Sequence, residues 1–156
     1  MRIRDKIKKP QRPVVAYEIL PPREKDGTLN TYAETISSLL SQTHIDAINI
    51  PEVHDEIGRG ERPVSNQERG EPRKFGMLLQ DIVGIEAIIN RVVVHMPMKK
   101  QMEWIQETHS KYEIDNLIIV GGESSKQQYP GPTVNESLKR ISEVNRHRKS
   151  NILCGG

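Results

Sequence analysis

Long apolar runs, aromatic side chains and cysteines are what this chain of 156 residues has least of. No stretch approaches the roughly 20 consecutive apolar residues that cross a bilayer, and the mean hydropathy is -0.63, so a membrane partner is not expected. Aromatics make up only 4% and hydrophobic residues 35%. That leaves little material for a large self-sufficient core in a chain of single-domain length. The lone Cys154 excludes an intramolecular disulfide and a multi-cysteine metal site, and it fits a reducing, cytoplasmic setting.

Charge is present in quantity at 28% of residues, with a net of +2. Its distribution is uneven. Residues 1–13 carry Arg2, Arg4, Lys6, Lys8, Lys9 and Arg12 against Asp5 alone, so the remainder is mildly acidic. This reads as a solvated basic N-terminal arm on residues 1–13 without the apolar run of a secretory signal. It lacks the aromatic or helical reading groups that nucleic-acid binding asks for, so no nucleic-acid partner is expected.

Beyond the arm, the apolar pattern alternates between short runs and helical stripes. Val14 to Leu20 is a strand closed by Pro21 and Pro22, and Ile45 to Ile50 is a second, stopped by Pro51. Between them Tyr32, Ala33, Ile36, Leu39 and Leu40 stripe a helix from Leu29. Glu52 to Arg73 is a loop of 22 residues rich in charge, Gly and Pro. Phe75 to Ile89 reads as a helix interrupted at Gly84, and Val92 to His95 as a strand ended by Pro97. Met98, Met102, Ile105 and Tyr112 stripe the next helix, and Leu117 to Val120 is an apolar strand breaking at Gly121 and Gly122. Thr133 with Glu136 forms a capping box for a helix striped by Val134, Leu138, Ile141 and Val144. Asn151 to Cys154 begins a fifth strand.

Strict strand–helix alternation gives an α/β fold with a parallel sheet. About 31 residues per unit makes this roughly five units of a (β/α)8 barrel. Residues 14–156 are therefore expected to form a partial barrel of about five strands, apparently truncated in the fifth. In such folds the site lies at the carboxyl ends of the strands. Glu18, Glu52 with His54, His95 and Glu123 all fall there. An acid just past a strand is equally a solvated loop residue, but Glu18 stands inside an apolar strand. Alternation with Val14, Ala16 and Leu20 puts it on one face, where burial would raise its pKa into the range of a general acid.

Gly121 and Gly122 allow either a tight turn or the close approach of a flat ligand, and no dinucleotide fingerprint is present. His54, Glu56 and His95 lack the spacing of a metal site, so no metal is expected. Arg59, Arg62, Arg69 and Arg73 read as a solvated charged loop or as a clamp for a phosphate.

With the segment YEILPPRE, the chain resembles the methylenetetrahydrofolate reductase family, whose first strand carries a Glu in a Phe-Glu-aromatic-aromatic-Pro-Pro type motif. VHMP matches the family's His-containing third-strand end, and NLIIVGGESS a strand closing in Arg-Gly-Asp. NILCGG matches the fifth strand before a Tyr-Pro segment. The likeness spans residues 14–156 in order and spacing. It implies a barrel that binds a flavin, FAD or FMN, and reduces 5,10-methylenetetrahydrofolate to 5-methyltetrahydrofolate with NAD(P)H.

By position, Glu18 would be the general acid that opens the folate's imidazolidine bridge. His95, Gly121, Gly122 and Glu123 would contact the cofactor, and Glu52 and Glu123 the folate substrate. The family's Arg-Gly-Asp is Gly-Gly-Glu here, and its Thr-containing second-strand segment is NIPEVHDE. Two further readings stand beside this one. One is a reductase-like folate-binding or partner-dependent subunit with an altered flavin site, as a homo-oligomer or with another chain. The other is an inactive barrel half.

Overall fold

Three helix starts in this chain are set by residues that satisfy the first free N–H groups. The computed structural model describes residues 2–56, 68–148 and 151–156. Helix α2 (Leu29–Leu40) begins at Thr28, whose hydroxyl accepts from the Thr31 N–H at 3.2 Å. Helix α3 (Pro72–Val83) begins at Glu71, whose carboxylate accepts from the Lys74 N–H at 2.7 Å, with proline at the first helical position. Helix α5 (Val134–Arg148) has the capping box: the Thr133 N–H donates to Glu136 at 2.8 Å and the Glu136 N–H to Thr133 at 3.3 Å. Helix α4 (Met98–Tyr112) follows Pro97 without a side-chain cap.

The strands are β1 (Ala16–Glu18), β2 (Ala47–Pro51), β3 (Glu86–Val92), β4 (Asn116–Val120) and β5 (Leu153–Gly155). They form one sheet in chain order, every neighbouring pair parallel. A doubly wound sheet would reverse its order at a switch point. Here order is sequential, and Ile48, Ile50, Ala87, Ile89, Leu117 and Ile119 on the helix-covered face are buried. On the other face Ile88, Asn90, Ile118 and Val120 are only half-buried. This is the winding of a (β/α) barrel, and the sheet is not closed: among the described residues β1 pairs only with β2, and β5 only with β4.

Two expected element boundaries are corrected after the second strand. The helix expected over Phe75–Ile89 ends at Val83, because Gly84 adopts the left-handed conformation (φ 71°) and its N–H closes the helix on the Gln80 carbonyl at 2.9 Å. The chain then enters β3 at Glu86, pairing with Ala47 of β2. Val93–His95, expected as part of a strand, form a 3-10 turn beyond the sheet. There the Val94 carbonyl accepts from Gly131 and the Val93 carbonyl from Gln101.

The basic arm is mostly exposed, as expected, but it is folded and docked rather than free. Ile3–Lys8 is helix α1, and Ile3 is buried. Lys6 and Arg12 both reach Asp46 at 2.8 Å, and the Val15 N–H donates to the same carboxylate at 2.9 Å. These contacts, with Lys6 first, then Val15 and Arg12, hold the Asp46 carboxyl well below its ordinary pKa against the opposing effect of burial.

The expected 52–73 loop is shortened at its far end, since α3 begins at Pro72. Arg59 and Arg62 lie outside the described residues. Arg69 donates to the Pro21 carbonyl at 2.9 Å. Arg73 is no loop clamp: it is buried, bonded to Glu71 and Glu107, and packed over the rings of Trp104 and Tyr112. On β5, burial pushes the Cys154 thiol up to about 12. No helix among the described residues is long and apolar enough to cross a membrane.

Candidate functional site at the strand ends

At the carboxyl end of β1, Glu18 stands opposite Asn49 of β2 on the face that no helix covers, and it accepts from the Asn49 amide at 3.0 Å. The burial expected for it is absent. All three residues of β1 are exposed, because β1 is a sheet edge and the open sheet leaves that face uncovered. Glu18 is therefore an accessible carboxyl rather than one enclosed among apolar neighbours.

Glu52 follows β2 and turns inward. One oxygen pairs with Arg91, and the other accepts from the Val92 N–H at 3.0 Å and lies 3.2 Å from His54 Nε2. Burial alone would push its carboxyl up; the proximity of His54, the charge of Arg91 and the Val92 N–H outweigh this and hold it below the ordinary value. Arg91 is itself buried, stacked over Trp104 and bonded to Gln101 at 3.0 Å. Glu52 thus anchors the β2–β3 rim, and little of it is free for a substrate.

His95 ends the 3-10 turn after β3. Its Nε2 lies 3.0 Å from Glu56, its ring stacks on His54 with centroids 4.3 Å apart, and its edge contacts Tyr129. Burial and the neighbouring His54 lower its pKa, against the raising effect of Glu56. Glu56 is nearly enclosed, its side chain 3% exposed. Its second oxygen accepts from the Glu123 N–H at 2.7 Å, the Ser124 N–H at 2.9 Å and the Tyr129 hydroxyl at 2.8 Å.

A cavity of about 240 Å³ lies at this rim, bordered by Glu18, Glu52, His54, Glu56, Gly121 and Glu123. Of the residues singled out from sequence, Glu18, Glu52, Gly121 and Glu123 meet there. His95 and Gly122 do not border it. A Cβ on Gly122 would collide with the ring of Tyr129, so the space that glycine opens is filled by the chain itself. Gly121 has no such neighbour; a Cβ there would meet only Val134, at 3.7 Å. Sequence alone does not point to Tyr129 or Ser124, and it offers Glu56 only as a candidate metal ligand. The one available signal was a tyrosine in a chain so poor in aromatics. Among the described residues no group of three or more His, Cys, Asp or Glu is arranged to hold a metal ion.

A depression of about 480 Å³ lies at the opposite, amino end of the strands, against Arg2, Asp46, Glu86 and Asp115. Sites of parallel α/β folds form at the other end.

No family model matches the chain, and no curated protein matches it either. The flavin implied by the resemblance can be judged against the rim itself. Tyr129 covers Gly122, and Glu56 takes up His95 and the Glu123 N–H. In this arrangement these residues do not fit a flavin.

Proposed function

We propose that the chain is a relative of the methylenetetrahydrofolate reductases that binds a reduced folate at the strand-end rim and gives it a proton from Glu18. The observation that carries this reading is the convergence of Glu18 and Glu123, from the ends of β1 and β4, on one cavity together with His54. Two carboxylates and an imidazole around one cavity supply hydrogen-bond acceptors for a polar heterocycle and a group able to transfer a proton. Glu18, accessible and oriented by Asn49, takes up a proton from solvent and passes it to the bridging nitrogen as the carbon–nitrogen bond of the imidazolidine opens. The carboxyl is left as carboxylate.

Reduction of the opened folate needs a hydride. The resemblance assigns this to a flavin reduced by NAD(P)H. A second reading, a folate-binding subunit that works without its own flavin, is favoured by the placement of Tyr129 over Gly122.

Calorimetry with 5-methyltetrahydrofolate, beside absorbance titration with FAD and FMN, tests both. Folate binding together with a bound-flavin spectrum supports the reductase. Folate binding with no flavin spectrum supports the second reading, and absence of folate binding removes both.

A further inference from the structure

Four donors drawn from two segments of the rim converge on the carboxylate of Glu56. The Glu123 N–H, the Ser124 N–H and the Tyr129 hydroxyl meet one oxygen at 2.7, 2.9 and 2.8 Å, and His95 Nε2 lies 3.0 Å from the other. Two successive backbone N–H groups just past a strand make an anion-binding concavity. Here Gly121 and Gly122 bring the backbone out of β4, and the Tyr129 ring, packed where Gly122 lacks a side chain, points its hydroxyl at the same spot. The Tyr129 hydroxyl, whose one proton goes to Glu56, accepts in turn from the Ser124 N–H at 2.9 Å, which steadies the ring.

We propose that this donor set is a carboxylate-binding site of the rim, which Glu56 fills in the free chain and a carboxylate-bearing ligand takes over when it binds. Three features support this over a purely structural tie. No donor is a lysine or arginine, so the anion is held by hydrogen bonds to groups that exchange partners readily. The occupant borders the rim cavity, so a ligand seated there is adjacent to the site. The exchange puts one carboxylate in place of another, so each donor keeps an acceptor of the same charge and shape. The inference does not depend on the folate reading, since any small carboxylate has the required group.

A tethered carboxylate competes at an effective concentration on the order of millimolar, so removing it should strengthen external binding. The test is amide NMR of the full chain, following Glu123 and Ser124 while sodium acetate is added at constant ionic strength, with sodium chloride and inorganic phosphate as parallel titrants. In Glu56→Ala the two amides should shift saturably with acetate, at concentrations about tenfold or more below those needed by the unaltered chain. Tyr129→Phe in the same background should weaken the response.

Amides that ignore acetate, or that respond equally to chloride, would overturn the proposal. A response to phosphate alone would overturn the carboxylate assignment. Glu56→Gln, which preserves shape, is measured in the same way in case the alanine variant fails to fold. If neither variant folds, Glu56 is an obligatory brace and the site is not a ligand site.

Discussion

The imidazoles of His54 and His95, carried by different strand ends, stack with centroids 4.3 Å apart and planes 28° from parallel. Two rings so placed do not both take a proton cheaply, and burial adds to the cost for His95. His95 should therefore titrate below an ordinary histidine. His54→Gln should raise its pKa by removing a neighbouring charge, and Glu56→Gln should lower it further. Histidine ring NMR against pH reads all three; a His95 titrating above the ordinary value would reverse the account. The stability consequence has a definite sign. Above the unfolded value of about 6.5 neither state binds the proton, whereas below it the unfolded chain binds it more readily, so stability falls with falling pH in that window.

Asp46 gives a second, lower window. Its carboxyl is depressed by Lys6, the Val15 N–H and Arg12. The stability it contributes is complete above the unfolded carboxylate value near 3.8 and is lost as pH falls toward the folded value. Asp46→Asn should lower the thermal midpoint at neutral pH and flatten the acid limb of a stability–pH curve. A variant whose acid limb matched the unaltered chain would show that the arm is not held through this carboxylate.

Gly122→Ala should be destabilising by about 1–3 kcal/mol, since the added methyl meets the Tyr129 ring. Pairing it with Tyr129→Ala should make the two changes cost less together than separately. Urea denaturation of the four-member cycle measures this coupling, and strict additivity would mean that the ring does not rest on Gly122.

Glu18→Gln keeps shape and removes the transferable proton. Folate affinity should be unchanged while the rate at which the imidazolidine ring of bound methylenetetrahydrofolate opens falls by about 100-fold or more. Equal losses in binding and ring opening would make Glu18 a binding residue, and no loss in either would remove it from the chemistry.

The open sheet presents β1 and β5 as edges, with Val15 and Tyr17 exposed at or beside β1. Unpaired edges template further pairing, so the chain should self-associate as its concentration rises. Light scattering that held at monomer mass across a hundredfold concentration range would contradict this.

Local pattern was enough to determine much of the molecule. Helices α2, α4 and α5, with their stripes and the Thr133–Glu136 box, follow from periodicity and caps, which are properties of neighbouring residues. Alternation of strands and helices was enough for a parallel α/β sheet, because a right-handed crossover returns each strand beside the last. Gly84 was visible as a break, but only pairing of Glu86 to Val92 with both neighbouring strands made the residues after it a strand rather than more helix. The partners of buried carboxylates were not legible at all. Glu52 finds Arg91, Asp46 finds the basic arm, and Glu56 meets Tyr129 across 73 positions of chain. The exposure of Glu18 was equally hidden, since it depends on β1 being an edge. Burial, pairing and pKa are set by which segments the register brings together, and that information lies between distant residues rather than within any run of sequence.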